Sequence, residues 1–240
     1  MTSIIDAPPR VVITGGLGAL GRVLGEHLAS QGARVALLDR VDPAAAQPVP
    51  GIAAVIGPVD LGDEAAAAAA FDHAAATLGG ISALASVAGG FRWQLFEGGD
   101  AETWDQMYAL NLRTAVVASM AALPHLLREA AASASGAAIV NVGAAAAAAK
   151  AGQGMGAYAA SKAGVARLTE AMADEFKLRG LRVNAVLPSI IDTPANRAAM
   201  PDADVSRWVT PLELARVIAF LISADAAAVT GACVPVTGRV

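Results

Sequence analysis

The sequence predicts an α/β fold, a single doubly wound domain with a parallel seven-stranded sheet and helices on both faces. Three observations carry this. Short β-branched runs alternate with longer helical stretches along the 240 residues. A glycine cluster sits directly between the first strand and the first helix. No composition shift, long linker or internal repeat divides the chain, so residues 1–240 read as one domain.

The elements follow in order. Arg10–Thr14 is the first strand, a helix runs to about Gln31, and Arg34–Asp39 is the second strand, which is βαβ spacing. Further strands are expected at Ile52–Ile56, Ile81–Val87, Ala137–Val142, Leu181–Leu187 and Cys233–Val236, with helices near 62–78, 101–130, 156–179 and 210–223. Such alternation implies a parallel sheet buried on both faces. Pro43 to Pro50 reads as a surface connection, and Pro124 should kink or end the helix that contains it. The alanine runs at 65–70 and 144–149 read as helix formers that allow close packing.

Alanine fills 60 positions, so the 55% hydrophobic content leaves an ordinary complement of larger core side chains. A net charge of -4 without a Lys/Arg cluster gives no electrostatic footprint for nucleic acid or anionic lipid. The uncharged stretch Ala130–Ala149 is interrupted by Ser133, Ser135, Gly136, Asn141 and Gly143, so no transmembrane helix is expected. Met1 to Asp6 lacks a secretory pattern and the lone Cys233 suits a reducing compartment, so the expected location is cytoplasmic. His27, His73 and His125 show no metal-ligand spacing, and no metal is expected.

Thr14-Gly15-Gly16-Leu17-Gly18-Ala19-Leu20-Gly21 carries the spacing G-x-G-x-x-G at 16, 18 and 21, between strand and helix. Glycines there let a backbone approach a pyrophosphate, and the free N–H groups of the helix start attract it. This is the mark of a Rossmann dinucleotide site. Asp39, at the end of the second strand, is placed to accept ribose hydroxyls and to repel a 2′-phosphate, so NAD is expected over NADP. Arg40 could pair with such a phosphate, and a solvent-exposed role serves it equally well. Asp60-Leu61 lies where a loop would cover the adenine, although Asp60 could also cap a helix starting near Gly62.

At the other end, Tyr158 and Lys162 are spaced i, i+4 and stack on one face of a helix. A phenol near pKa 10 is a poor proton catalyst at neutral pH, and a neighbouring ammonium and an oxidised nicotinamide should both favour the phenolate and lower that value.

Over essentially its whole length the chain resembles the classical short-chain dehydrogenases/reductases. The resemblance is carried by Thr14–Gly21, Asp60-Leu61, Ala88-Gly89, Asn111, Tyr158-x-x-x-Lys162 and Pro188 to Thr193. It implies an NAD(H)-dependent oxidoreductase in which Tyr158 relays a proton, Lys162 holds the nicotinamide ribose and Asn111 supports a water relay. It also implies cofactor contacts from Gly15, Gly16, Gly18, Leu20 and Gly21, from Ala88 and Gly89, and from Pro188, Ile191 and Thr193. In this family the helices near 101–130 and 156–179 build a dimer interface, so a homodimer or homotetramer is implied.

Four departures stand out. Ala19 occupies a family glycine, Ser86-Val87 replaces paired asparagines, and Ser189 replaces a glycine after Pro188. The fourth is chemical: a catalytic serine should lie at 144 or 145, both are alanine, and no serine occurs between Ser135 and Ser161. Asn141, Gln153 or a bound water are the candidates to replace it. A sub-pattern is similar to quinonoid dihydropteridine reductase: Val87-Ala-Gly-Gly-Phe91, a serine-free Gly143-Ala144 segment leading to Gly154–Tyr158, and Asp192-Thr-Pro194 through Trp208. That branch implies hydride transfer to a conjugated imine, which needs no serine beside a carbonyl. The expected function is therefore hydride transfer to or from a small carbonyl or alcohol, with imine reduction or non-catalytic nucleotide binding as alternatives. Phe91, Trp93, Met155, Met200 and Trp208, with Ala144 and Gln153, are the candidate substrate pocket beneath a loop at about 188–210.

Overall fold

A computed structural model describes residues 8–148 and 150–240. Seven strands form one parallel sheet: β1 (Arg10–Thr14), β2 (Arg34–Leu38), β3 (Ala54–Ile56), β4 (Ala83–Ser86), β5 (Ala137–Val142), β6 (Leu181–Pro188) and β7 (Cys233–Val236). Their order across the sheet is β3-β2-β1-β4-β5-β6-β7. The chain thus builds outward from β1 in one direction, then crosses over to β4 and builds in the other. This reversal leaves a crevice at the carboxyl ends of β1 and β4, where ligands of open parallel sheets bind.

Strand alternation divides the core into two layers. Val11, Ile13, Val35 and Leu37 face α1 (Ala19–Ser30) and α8 (Pro211–Ile222) through Leu24, Leu28, Leu214 and Ile218. Val12, Leu38, Leu84 and Ile139 face the opposite way, against Phe71 of α2 (Glu64–Leu78), Leu126 of α4 (Thr114–Ala132) and Phe176 of α6 (Gly156–Phe176). Burying each such side chain contributes about 1.5–3 kcal/mol. The remaining helices are α3 (Ala101–Met107), the four-residue α5 (Ala145–Ala148) and α7 (Pro194–Ala199). By length and composition the stretch Ala101–Ala132 could cross a membrane, but its Val117, Ala118, Ala122 and Leu126 are packed in the core.

Three local expectations are corrected. Of the kink or end expected at Pro124, the end does not occur, since α4 continues to Ala132. The bond that Pro124 forfeits would have gone to the carbonyl of Met120, an exposed residue whose carbonyl water can serve. The expected helix over 101–130 is instead α3 and α4 joined by a π-helical turn at Tyr108–Arg113, where the Thr114 N–H donates to Ala109 O, five residues back. Finally, α2 is capped by Asp63, which accepts from Ala65 N and Ala66 N. Asp60 accepts from Gly62 N at 2.7 Å and turns the chain ahead of the helix.

Candidate active site

The glycine turn is built by close approach. Gly15 lies at φ +64°, and a Cβ on it would fall 2.9 Å from the backbone of Ala88. A Cβ on Gly21 would fall 2.3 Å from Gly15 O, so α1 can start against the turn only if that position is bare. Gly18 caps α1 without a side-chain bond, and the departure Ala19 is exposed at the first helical position. The first N–H groups of α1 are thus without a side-chain cap, in a cradle that fits an anionic diphosphate.

Asp39 directly follows β2. Its Oδ2 accepts from Leu17 N at 2.9 Å and its Oδ1 from Val41 N at 3.1 Å, which fixes the carboxylate at the rim of the turn. Arg40 is exposed, and neither Asp39 nor Arg40 is ion-paired among the described residues. Leu61 is buried in the core layer beside α2, while Asp60 stays exposed at the crevice side of β3.

Thr14 Oγ1 accepts from the main-chain N–H groups of Val87 and Ala88 at 3.2 and 3.3 Å and fastens that segment to β1, bonds that do not depend on the side chains at 86 and 87. One departure has a structural answer. Ser189 donates from its hydroxyl to Thr237 O at 2.7 Å, a bond that glycine could not make.

Beyond Ala88 three elements converge. A Cβ on Gly89 would lie 2.7 Å from Asn111 Oδ1 and 3.2 Å from Lys162 Nζ. Asn111 sits in the π-helical turn, accepts from Gly90 N at 2.9 Å and donates to Ser161 Oγ at 3.0 Å, and Ser161 donates to Tyr158 O at 2.7 Å. Ser161 was missed in the sequence because a serine inside a helix has no periodic or spacing signal; only the packing of α6 on the π-turn gives it a partner. Lys162 is buried and donates to Val142 O at 2.7 Å.

The ionisation of the pair differs from the sequence expectation. Burial pushes the Tyr158 phenol up to about 12 and pulls the Lys162 ammonium down to about 8. Desolvation disfavours the charged form of each, and in the chain by itself it outweighs any help that Lys162 gives to a phenolate.

The substrate side is apolar. The Phe91 ring meets Tyr158 edge-on, with centroids 4.9 Å apart, and Trp93 donates from its indole to Gln153 O at 2.9 Å. Met155 directly precedes α6, and the Ala144 methyl is buried next to β5. Asn141 is excluded as a replacement for the missing serine: it is fully buried in β5 and donates to Thr169 Oγ1 of α6 at 2.9 Å. Gln153 is exposed near the Trp93 indole.

Pro188 is buried at the end of β6; beyond it Ile191 bridges to Val209, and Thr193 Oγ1 caps α7 by accepting from Asn196 N. Met200 ends α7. Trp208 is buried and faces an outer cleft of about 400 Å³ that Asp192, Arg197 and Glu213 also line. Phe91 and Trp93 are therefore brought to the Gln153–Tyr158 segment, while Trp208 lines the outer cleft.

The short-chain dehydrogenase family model matches residues 9–204. The chain is 31% identical to 2-(S)-hydroxypropyl-CoM dehydrogenase 3 of Xanthobacter autotrophicus, over 95% of this chain and 94% of that protein. It is 35% identical to the inactive 2-(S)-hydroxypropyl-CoM dehydrogenase 2 of the same organism, over 86% of this chain and 94% of that one. The 3-ketoacyl-(acyl-carrier-protein) reductase of Brucella melitensis, solved in complex with NADH, superimposes with a TM-score of 0.84 at 29% identity, covering 95% of this chain and 97% of that chain.

The depressed Lys162 value is directly measurable, since the chain has three lysines. Lys162 should carry its charge below pH about 8 and lose it above. In protein carrying ¹³C-labelled lysine, the Cε resonance that Lys162→Met removes should titrate near 8, and a midpoint at the ordinary 10.5 would overturn the desolvation argument.

Proposed function

The chain belongs to the short-chain dehydrogenase family, and on that premise we propose an NAD(H)-dependent oxidoreductase that moves hydride between nicotinamide and a small carbonyl or alcohol. One observation carries the reading. Gly89, Asn111 and Lys162 meet at the crevice mouth, with Tyr158 one helical turn from Lys162, and the bare glycine turn lies on the far side of Ala88.

The residues fit a dinucleotide. The α1 start and the Gly15–Gly21 cradle suit the diphosphate, Asp39 suits unphosphorylated ribose hydroxyls, and Lys162 suits the second ribose near Gly89. When bound, the cofactor supplies or accepts the hydride. Tyr158 handles the accompanying proton at its phenolic oxygen. With its pKa raised to about 12 the phenol is protonated at neutral pH and ready to donate to a carbonyl oxygen that gains hydride. In the oxidative direction it must take a proton up, and the nearby ammonium then favours the phenolate. Phe91 against the Tyr158 ring keeps water from one side of that oxygen's ring, and Asn111 fixes Gly90 and so the start of the aromatic segment.

A second reading, reduction of a conjugated imine, is favoured by the buried Ala144 where a serine would polarise a carbonyl. Such a substrate spreads charge over a ring and can be served by Tyr158 or water. Exposed Trp104, Tyr108 and Met120 on the helices over 101–132 support assembly as a homodimer or homotetramer.

NADH should bind at least about tenfold more tightly than NADPH, ~1.4 kcal/mol, and Asp39→Ala should erode that gap. Fluorescence titration decides it, and equal or reversed affinities would transfer the deciding role to Arg40. Tyr158→Phe should nearly abolish turnover and leave NADH binding intact. Retention of more than about a few per cent of activity would place the proton source elsewhere, since a well-placed proton donor contributes roughly 10²–10⁴-fold. Ala144→Ser, or Ala145→Ser, should raise kcat/KM on simple ketones by up to about 10²-fold and leave imine reduction flat or lower. Strong wild-type ketone reduction that neither serine improves would mean that another group, with Gln153 first, already polarises the carbonyl.

A further inference from the structure

The segment between β6 and α8 is fastened very unevenly. Among the described residues, every hydrogen bond made by 193–203 stays within 191–203. Thr193 caps α7, Asn196 Nδ2 donates to Ile191 O at 2.8 Å, and Arg197 donates from Nε and Nη2 to the two Asp192 carboxylate oxygens at 2.6 and 2.8 Å. The backbone N–H groups of Met200 and Ala203 bond only to Asn196 O and Met200 O.

Residues 206–209 also carry local bonds, with Ser206 N donating to Asp204 Oδ1 at 3.1 Å, Arg207 N to Asp204 O at 3.2 Å and Trp208 N to Val205 O at 3.1 Å, but unlike 193–203 they are tied to distant chain as well. Arg239 N donates to Arg207 O at 3.0 Å, and Arg207 returns Nε and Nη2 to Arg239 O at 3.0 and 2.7 Å. Arg239 also donates from Nη2 to Ser206 O. Gly238, at φ +61°, lets the two backbones meet, because a Cβ there would fall 2.8 Å from Arg207 O. At the neck, Val209 N donates to Ile190 O at 3.0 Å and Asp192 N to Val209 O at 2.8 Å. Both guanidiniums of this clasp are directed to main-chain carbonyls, and neither is in an ion pair among the described residues.

We propose that Arg207 and Arg239 are positioning residues: their mutual clasp makes 206–209 a fixed jamb, so that substrate entry moves only 193–203, which carries Met200. The link to substrate rests on the proposed oxidoreductase function; the clasp itself does not.

The test is hydrogen exchange by mass spectrometry on the full chain without substrate, for wild type, Arg207→Met, Arg239→Met and Arg207→Lys. In wild type, 206–209 and the amide of Arg239 should exchange at least about tenfold more slowly than 198–203. Either methionine variant should raise exchange at 206–209 and at residue 239 about tenfold with 198–203 unchanged, and Arg207→Lys, which cannot fork onto one carbonyl, should fall between. Slow exchange at 206–209 in both methionine variants, or equal protection of the two halves in wild type, overturns the clasp. Should Arg207→Met lose protection in β4 and β5 as well, the exchange of Arg239→Met decides. On whichever carbonyl or imine proves to be reduced, KM should rise about fivefold with kcat within about twofold. An unchanged KM with loosened 206–209 overturns the positioning role, and a protein with no turnover at all would refute the proposed function while leaving the exchange result to decide the clasp.

Discussion

The active end depends on one contact: the end of β1 lies directly against the segment after β4. Gly15 presses on the backbone of Ala88, and Thr14 takes the Val87 and Ala88 N–H groups on its hydroxyl. Because β1 and β4 are sheet neighbours at the point where strand order reverses, this junction lies at the crevice. On one side of it the α1 start is left bare for an anion. On the other, Gly89 is held where Asn111 and Lys162 can reach it.

Charge in this crevice is governed by burial more than by pairing. Lys162 is buried, and among the described residues its ammonium hydrogen-bonds only to Val142 O, so its charge is easily lost; Tyr158 is half-buried with Phe91 against its ring, and desolvation of the phenolate holds its proton firmly. An isolated chain therefore rests with the proton on the phenol. A bound group that adds positive charge would favour the phenolate and lower the Tyr158 value toward neutral pH, and it would disfavour the Lys162 ammonium further. The buried Ala144 after β5 offers no side-chain hydrogen-bond donor at its position.

The loop after β6 obeys a different constraint. Its first half holds itself together by local bonds, and its second half is held by chain that follows β7. Local bonds within a short helix open easily, whereas a clasp between segments 32 positions apart holds only while β6 and β7 stay paired, as they do from Ala185 to Val236. Rigidity at the substrate edge is thus borrowed from the sheet.

Periodicity and glycine spacing by themselves determined the parallel α/β architecture, the seven strands to within a residue or two, the glycine turn between β1 and α1 and the placement of Tyr158 and Lys162 one turn apart on α6, because each is encoded by residues close together in the chain. What lay beyond that reach was decided by tertiary structure. The π-helical turn that aims Asn111, the partnering of Ser161, the removal of Asn141 to the α6 side and the Arg207–Arg239 clasp all join residues far apart in sequence, and nothing in local pattern marks such pairs. Pro124 failed as a helix stop for the same reason: whether a lost hydrogen bond matters depends on whether the orphaned carbonyl faces water, and only the packed fold sets which face is wet.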